Sequence, residues 1–160
     1  MRRFMRIGKM VFVFVLLLIS CGDDDTDTEN QILTFGWYAG PICVGDCTTM
    51  YKLEEGKVFQ AIDPDRPAGN VFVGNFQEFP QARYEDYDEL ILQLPSQLFD
   101  VTDGYIACPE CTNEDGGFYI ELLNANGTRR TWRSFTADVP PYFESYRLLL
   151  IDKLAELNGL

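Results

Sequence analysis

Five cysteines and no histidine set the chemistry open to this chain of 160 residues. Cys43 and Cys47 enclose Val44-Gly45-Asp46, Cys108 and Cys111 enclose Pro109-Glu110, and Cys21 stands apart near the N-terminus. Two close thiol pairs suit three chemistries: structural disulfides, a dithiol that cycles between oxidation states, or a tetrathiolate zinc site. The missing imidazole excludes Ser-His-Asp and Cys-His nucleophilic catalysis, HExxH zinc chemistry and a histidine general base. Neighbouring acids (Asp63 with Asp65, Glu85 with Asp86, Asp88 with Glu89, Glu114 with Asp115) are what a chain with 25 Asp and Glu produces unaided. A glycosidase needs two carboxylates fixed across a cleft with one pKa raised, and nothing in the sequence marks two of these as buried.

The choice among thiol chemistries depends on the compartment. Arg2, Arg3, Arg6 and Lys9 precede the unbroken apolar run Val11 to Ile19. That order reads as a secretory signal peptide over residues 1–20, and the run is too short for the roughly 20 residues of a spanning helix. Leu18-Ile19-Ser20-Cys21 resembles the lipobox of bacterial lipoproteins. The resemblance implies that Cys21 is lipidated and becomes the mature N-terminus, held to the membrane by acyl chains that contribute about 0.8 kcal/mol per buried methylene. Residues 21–30 then carry Asp23, Asp24, Asp25, Asp27 and Glu29 and no apolar side chain beyond Cys21, the composition of a disordered tether. The run lacks the Gly turn and terminal Glu of a calcium loop. An acidic cluster behind the lipidated cysteine also resembles the export signal of Gram-negative lipoproteins displayed on the outer face of the outer membrane. The expected location is therefore the outer membrane, lipid-anchored at the cell surface; if the cluster is only a solvated linker, the alternative is the periplasmic face.

Export makes disulfides the expected state of Cys43, Cys47, Cys108 and Cys111. Four cysteines allow three pairings, and the sequence leaves them open. Two local bridges would pin loops ahead of strands, whereas two long ones would staple the first hairpin to the later one and restrict the unfolded chain by roughly 4 kcal/mol each. Cys108-Pro109-Glu110-Cys111 resembles the active site of glutaredoxin-like proteins, but there the motif opens a helix whose N-terminus lowers the thiol pKa. Here Thr112-Asn113-Glu114-Asp115-Gly116-Gly117 is an acidic, Gly-rich loop that leads into a strand. The motif also resembles a zinc-ribbon knuckle, yet the first pair has three intervening residues rather than two, and oxidation competes with metal outside the cytosol. No cofactor and no metal is expected.

The elements that must position these residues lie in one expected domain, 31–160. Ile32 to Tyr38 reads as a strand, Cys47 to Leu53 and Lys57 to Ile62 as a hairpin around Glu54-Glu55-Gly56, and Val71 to Phe76 as a further strand. Asp86 and Glu89 ahead of Leu90-Ile91-Leu92 fit a capping box that opens a short helix. Pro95 then leaves Ser96 to Phe99 as a second helical turn or the end of the first. Phe118 to Leu123 and Thr128 to Phe135 flank Asn126-Gly127, a strong hairpin signal. A loop of two or four residues would put Tyr119, Glu121, Leu123, Arg130 and Trp132 on one face. Pro140-Pro141 opens a helix with Phe143, Tyr146, Leu150, Leu154 and Leu157 at helical spacing, about four turns closed by Asn158-Gly159. The expected fold class is α+β: a mainly antiparallel sheet with a short middle helix and the C-terminal amphipathic helix packed on one face.

Lipobox, acidic tether, CxxxC before a strand, and Cys-Pro-x-Cys followed by an acidic Gly-Gly loop together resemble a group of small Gram-negative surface lipoproteins. That group carries no assigned activity, so the resemblance implies the architecture and leaves function open. Removing residues 1–20 takes away four of 13 basic residues and none of the 25 acids, leaving 9 against 25, a net charge near −16. Such a surface is repelled by nucleic acid and by anionic lipid. Three of the remaining basic residues, Arg129, Arg130 and Arg133, share one strand and could take an anion; the alternative pairs Arg130 with Glu121 across the hairpin and stacks a guanidinium on Trp132. The leading expectation is a non-catalytic binding or accessory module, whose partners are the membrane, through the lipid on Cys21, and a basic protein. The alternative is an inhibitor or immunity protein that neutralises a cationic enzyme. Replacing Cys21 with Ala should release the protein from membrane fractions, and a variant that stays membrane-bound after a salt wash would contradict the lipid anchor.

Overall fold

The computed structural model of the chain describes residues 30–40, 43, 47–62, 64, 71–80, 86–106, 116–135 and 139–159. The signal peptide, Cys21 and nearly all of the tether lie outside them. Seven strands form one sheet: β1 (Ile32–Tyr38), β2 (Thr48–Glu54), β3 (Lys57–Ile62), β4 (Asn75–Glu78), β5 (Gly104–Tyr105), β6 (Gly117–Leu123) and β7 (Arg129–Ser134). Their order across the sheet is β4-β3-β2-β1-β6-β7-β5. Every neighbouring pair is antiparallel except β5 with β7. With helix α1 (Glu89–Leu92), a 3-10 turn at Ser96–Asp100 and helix α2 (Pro141–Asn158), the class is α+β and dominated by the sheet.

One face of the sheet carries Leu33 and Phe35 of β1, Tyr51 and Leu53 of β2, Val58 of β3, Ile120 and Leu122 of β6 and Trp132 of β7, all buried. Helix α2 covers it with Phe143, Tyr146, Leu150, Leu154 and Leu157, the stripe expected from spacing, and these side chains share one core. Pro141 sits at the first helical position, where a missing N–H costs nothing, and Gly159 closes the helix in the left-handed region (φ 71°). At 18 residues the helix is a turn longer than its apolar stripe implied. The opposite face holds a smaller cluster of Tyr38, Met50, Ala61, Phe72 and Tyr119. Burial on both sides explains why β6 reads as nearly continuous apolar sequence instead of alternating.

The first hairpin turns at Glu55-Gly56, both with positive φ (52° and 70°), the geometry of a primed two-residue turn whose twist matches its strands. The second hairpin departs from expectation. Leu123 pairs with Arg129, the Asn124 amide donates to the Thr128 carbonyl, and Gly127 takes a positive φ of 81°. The loop is Ala125-Asn126-Gly127, a three-residue connection of the turn-plus-bulge type. An odd loop inverts the parity that loops of two or four residues share. Tyr119, Glu121 and Leu123 therefore share a face with Arg129, Thr131 and Arg133, while Arg130 and Trp132 lie on the other face with Ile120 and Leu122.

Two further expectations are corrected. The strand placed at Val71 to Phe76 begins at Asn75, with a single bridge at Val71, because Phe72 leaves the ladder to pack its ring on the second face and gives its N–H to the Tyr119 hydroxyl. The short helix exists without the capping box: it starts at Glu89, and Asp88 at its N-cap makes no side-chain cap. Asp86 instead sits in the left-handed region (φ 31°), which turns Tyr87 into the core against Phe35. Truncating Leu150 to Ala, at the centre of the α2 contact, should cost about 2–5 kcal/mol of stability in chemical denaturation. A loss below about 1 kcal/mol would mean that α2 does not seal this core.

Candidate functional site

Of the cysteines, the described pair is joined: Cys43 and Cys47 form a disulfide with Cα atoms 5.7 Å apart and a sequence separation of 4. This is the local alternative. The bridge closes the β1–β2 connection, where the Ala39 amide donates to the Cys47 carbonyl (2.7 Å) and the Cys43 amide to that of Gly40 (3.2 Å). Cys21, Cys108 and Cys111 lie outside the described residues, as do Asp63, Asp65, Glu85, Glu114 and Asp115. Among the described residues no group of three or more His, Cys, Asp or Glu is placed to hold a metal ion. No helix among them is long and apolar enough to cross a membrane.

The three arginines of β7 do not converge on an anion. Arg130 donates from Nε to the Asp103 carboxylate (2.7 Å) and from its terminal nitrogens to the carbonyls of Phe99 (3.2 Å) and Val101 (2.6 Å). Its guanidinium lies over Trp132, whose indole N–H donates to the Leu98 carbonyl (3.0 Å). Arg130 thus clamps the 98–103 segment across the end of the sheet. Stacking on Trp132 agrees with expectation, whereas the expected pairing with Glu121 does not occur. The residue that meets Glu121 is Arg129, at 3.7 Å on the opposite face. Arg133 is 2% exposed and lies between the rings of Tyr105 and Tyr119, 5.7 and 5.8 Å from their centroids.

Around Arg133 the second face builds a polar network that the sequence reading missed. The Tyr119 hydroxyl donates to the Glu121 carboxylate (2.5 Å) and accepts from the Phe72 amide (2.7 Å), and the hydroxyls of Tyr38 and Tyr105 lie 3.3 Å apart. Burial, followed by the hydrogen bond to Glu121 and its charge, raises the Tyr119 pKa well above the usual tyrosine range. A carboxylate, a phenol and a guanidinium together resemble acid–base machinery by residue type. In the structure they lie inside the second face: Tyr119 and Arg133 are buried and Glu121 is 6% exposed. The usable signal was a lone Glu inside a strand that is otherwise apolar, which must find a donor once buried.

The open apolar surface lies elsewhere. Trp37, Thr49 and Phe118 from the sheet face Ile151, Leu154, Ala155 and Asn158 of α2 across a groove of about 250 Å³. Trp37 is 37% exposed and Ile151 39%, and Leu148, one turn before Ile151, is 53% exposed. A wider hollow of about 410 Å³ lies beside the β3–β4 edge, where Gln60, Gln77 and Glu78 make its walls polar. The chain matches no protein-family model, no curated protein and no solved structure.

The buried hydroxyls fix a pH dependence. Burial raises Tyr146, whose O–H donates to the Leu90 carbonyl (2.9 Å), and raises Tyr87, where nearby Glu156 adds to the effect. Tyr87, Tyr119 and Tyr146 keep protons in the folded chain that the unfolded chain releases near the ordinary tyrosine pKa of about 10. Their contribution is therefore complete below about pH 10 and is lost as pH rises beyond it. Denaturant midpoints should be flat from neutral to about pH 9 and fall above about pH 10, with a shallower fall in Tyr146→Phe; an unchanged midpoint at about pH 11 would contradict this.

Proposed function

We propose that this chain is a non-catalytic surface lipoprotein, held on the outer membrane through acyl chains on Cys21, whose globular part is a binding or accessory module for a basic protein. The observation that carries the reading is how unevenly charge is compensated. Lys52 pairs with Glu54, Lys57 with Glu78, Arg129 with Glu121, Arg130 with Asp103, Arg147 with Glu144, and Lys153 with Glu89 and Glu156. Arg133 is buried between rings. The described cations are thus engaged within the chain, while Glu55, Asp86, Asp88, Asp100 and Asp152 are exposed and form no ion pair with a described Lys or Arg. Among the described residues, what faces solvent is surplus negative charge.

Such a field favours encounter with positive surfaces, and its reach is limited to about 8–10 Å at physiological salt. The groups that suggest chemistry by type are used internally: the Tyr119–Glu121–Arg133 network is sealed, and Cys43 and Cys47 are bridged. Both points favour a binder over an enzyme. A protein that inhibits or confers immunity against a cationic enzyme would draw on the same surplus charge, and differs in requiring a catalytically active basic target. Partners crosslinked on intact cells should be basic. Their association rate should fall on the order of tenfold from low to physiological ionic strength, with much less change in dissociation. An acidic partner, or an association rate indifferent to salt, would overturn the reading.

A further inference from the structure

We infer that the outer edge of β4 is an interface with a second copy of this chain, the two β4 strands pairing antiparallel with Gln77 on the two-fold axis. β4 ends the sheet, with β3 on one side and no described strand on the other. The Phe79 amide donates to the Val58 carbonyl (2.8 Å), which extends the β3–β4 register by one pair and fixes its phase. Hydrogen-bonded positions alternate along an antiparallel ladder, so Asn75 and Gln77 turn their backbone groups toward β3. Phe76 and Glu78 turn theirs outward. Among the described residues nothing bonds to these outward amides and carbonyls.

The side chains of the edge decide its occupant. Sheet edges that stay single are commonly guarded by Lys, Pro or unpaired charge. Here Asn75, Phe76 and Gln77 are uncharged, and Glu78, the one acid of β4, is engaged by Lys57 at 3.5 Å. A basic partner finds no uncompensated carboxylate on this strand, whereas a second copy finds its complement. With outward groups at Phe76 and Glu78, two copies can align Phe76 with Phe76, Glu78 with Glu78, or Phe76 with Glu78. The first makes two bonds and carries Glu78 past the end of the strand, opposite Gly74. The second sets two carboxylates directly against each other. In the third, each Phe76 exchanges both bonds with the other copy's Glu78, four bonds in all.

That third register brings Gln77 against its own copy at a non-hydrogen-bonded position, where Cα atoms approach to about 4.5 Å. A primary amide both donates and accepts, so this pair is self-complementary. Gln60 lies beside Gln77 on the same face, and the hollow of about 410 Å³ that they line leaves room for the second amide. The net charge of −12 on each whole chain opposes the pairing, and salt screens it beyond about 8–10 Å. The dimer therefore strengthens as salt rises, the reverse of what a basic partner would show. Strands of four residues bury less than a standard interface, so the pair forms where copies are concentrated.

The test uses the concentrated full chain under a mild oxidant. Gln77→Cys should give a reducible dimer at about ten times the yield of Asn75→Cys, whose two copies lie four residues apart along the paired strands, beyond disulfide reach. Glu78→Pro removes the outward N–H, and two of the four interchain bonds with it, while leaving the β3 ladder whole. Glu78→Gln removes the charge and keeps the donor. Sedimentation should show the dimer lost in Glu78→Pro and kept in Glu78→Gln, and the unaltered chain should dimerise more at physiological than at low salt. Gln77→Cys that crosslinks no better than Asn75→Cys, or a dimer indifferent to Glu78→Pro, would overturn the edge pairing. A dimer that weakens as salt rises would show opposite charges, and not the ladder, holding it. Crosslinking of Gln77→Cys to a different protein alone would give the edge to a foreign strand and reject the inference.

Discussion

Strand β1 is hydrogen-bonded along its whole length on both sides, and the rest of the architecture depends on that position. Ile32 to Tyr38 pair residue for residue with Glu54 to Thr48 on one edge and with Leu123 to Gly117 on the other. The meander that follows, β2 to β4, and the later hairpin, β6 and β7, are thereby joined into one sheet although Tyr38 and Gly117 are 79 positions apart. Because side chains alternate along a strand, this register fixes both faces at once. Leu33 and Phe35 go to the α2 side with Tyr51 and Ile120, and Tyr38 goes to the other side with Tyr119 nearby. Trp37 points to the α2 side as well, but at the end of the strand where the helix no longer covers it. The exposed groove is thus a consequence of where β1 outruns its cover.

A second constraint is as small as one residue. The three-residue loop Ala125-Asn126-Gly127 determines which side of the sheet each arginine of β7 occupies. With an even loop, Arg130 would have met Glu121, and the second face would have lost Arg133 from between its tyrosines. With the odd loop, Arg130 meets the carbonyls of the 98–103 segment, and Glu121 is satisfied by the Tyr119 hydroxyl and Arg129. Hairpin existence was legible from Asn126-Gly127, because few other dipeptides relieve positive φ so readily. Loop parity was not, because Asn124 and Ala125 could equally have extended the ladder.

The same division runs through the rest of the chain. The α2 stripe could be read from spacing because helical periodicity over many residues has few competitors, and all five of its apolar members are buried. Local signals that compete with tertiary contacts were misread. Asp86 has the residue type of a cap, but burying Tyr87 beneath α2, with its hydroxyl donating to the Lys153 carbonyl (2.9 Å), bends the chain there instead. Val71 to Phe76 has strand composition, yet Phe72 spends its amide on Tyr119, a residue that is 47 positions away. The groove was invisible for a related reason: Trp37 and Phe118 sit in strand patterns that imply core, Ile151 lies beside the buried helical stripe, and only the assembled sheet brings them together at its margin.

The local disulfide clarifies what holds this fold. A bridge between residues four apart closes a short loop and, in the chain-entropy model, restricts the unfolded state by about 2 kcal/mol, against roughly 4 for the long pairings. Cys43–Cys47 therefore cannot substitute for packing. The described packing lies on the two faces: aliphatic and aromatic side chains against α2 on one, and a buried polar network around Tyr119, Glu121 and Arg133 on the other. What the bridge does restrict is the β1–β2 connection, immediately beyond Trp37 on one strand and before Thr49 on the next. That connection lies at the end of the sheet where Trp37 and Thr49 line the apolar groove, whereas the core beneath α2 draws most of its residues from positions far from the bridge in sequence.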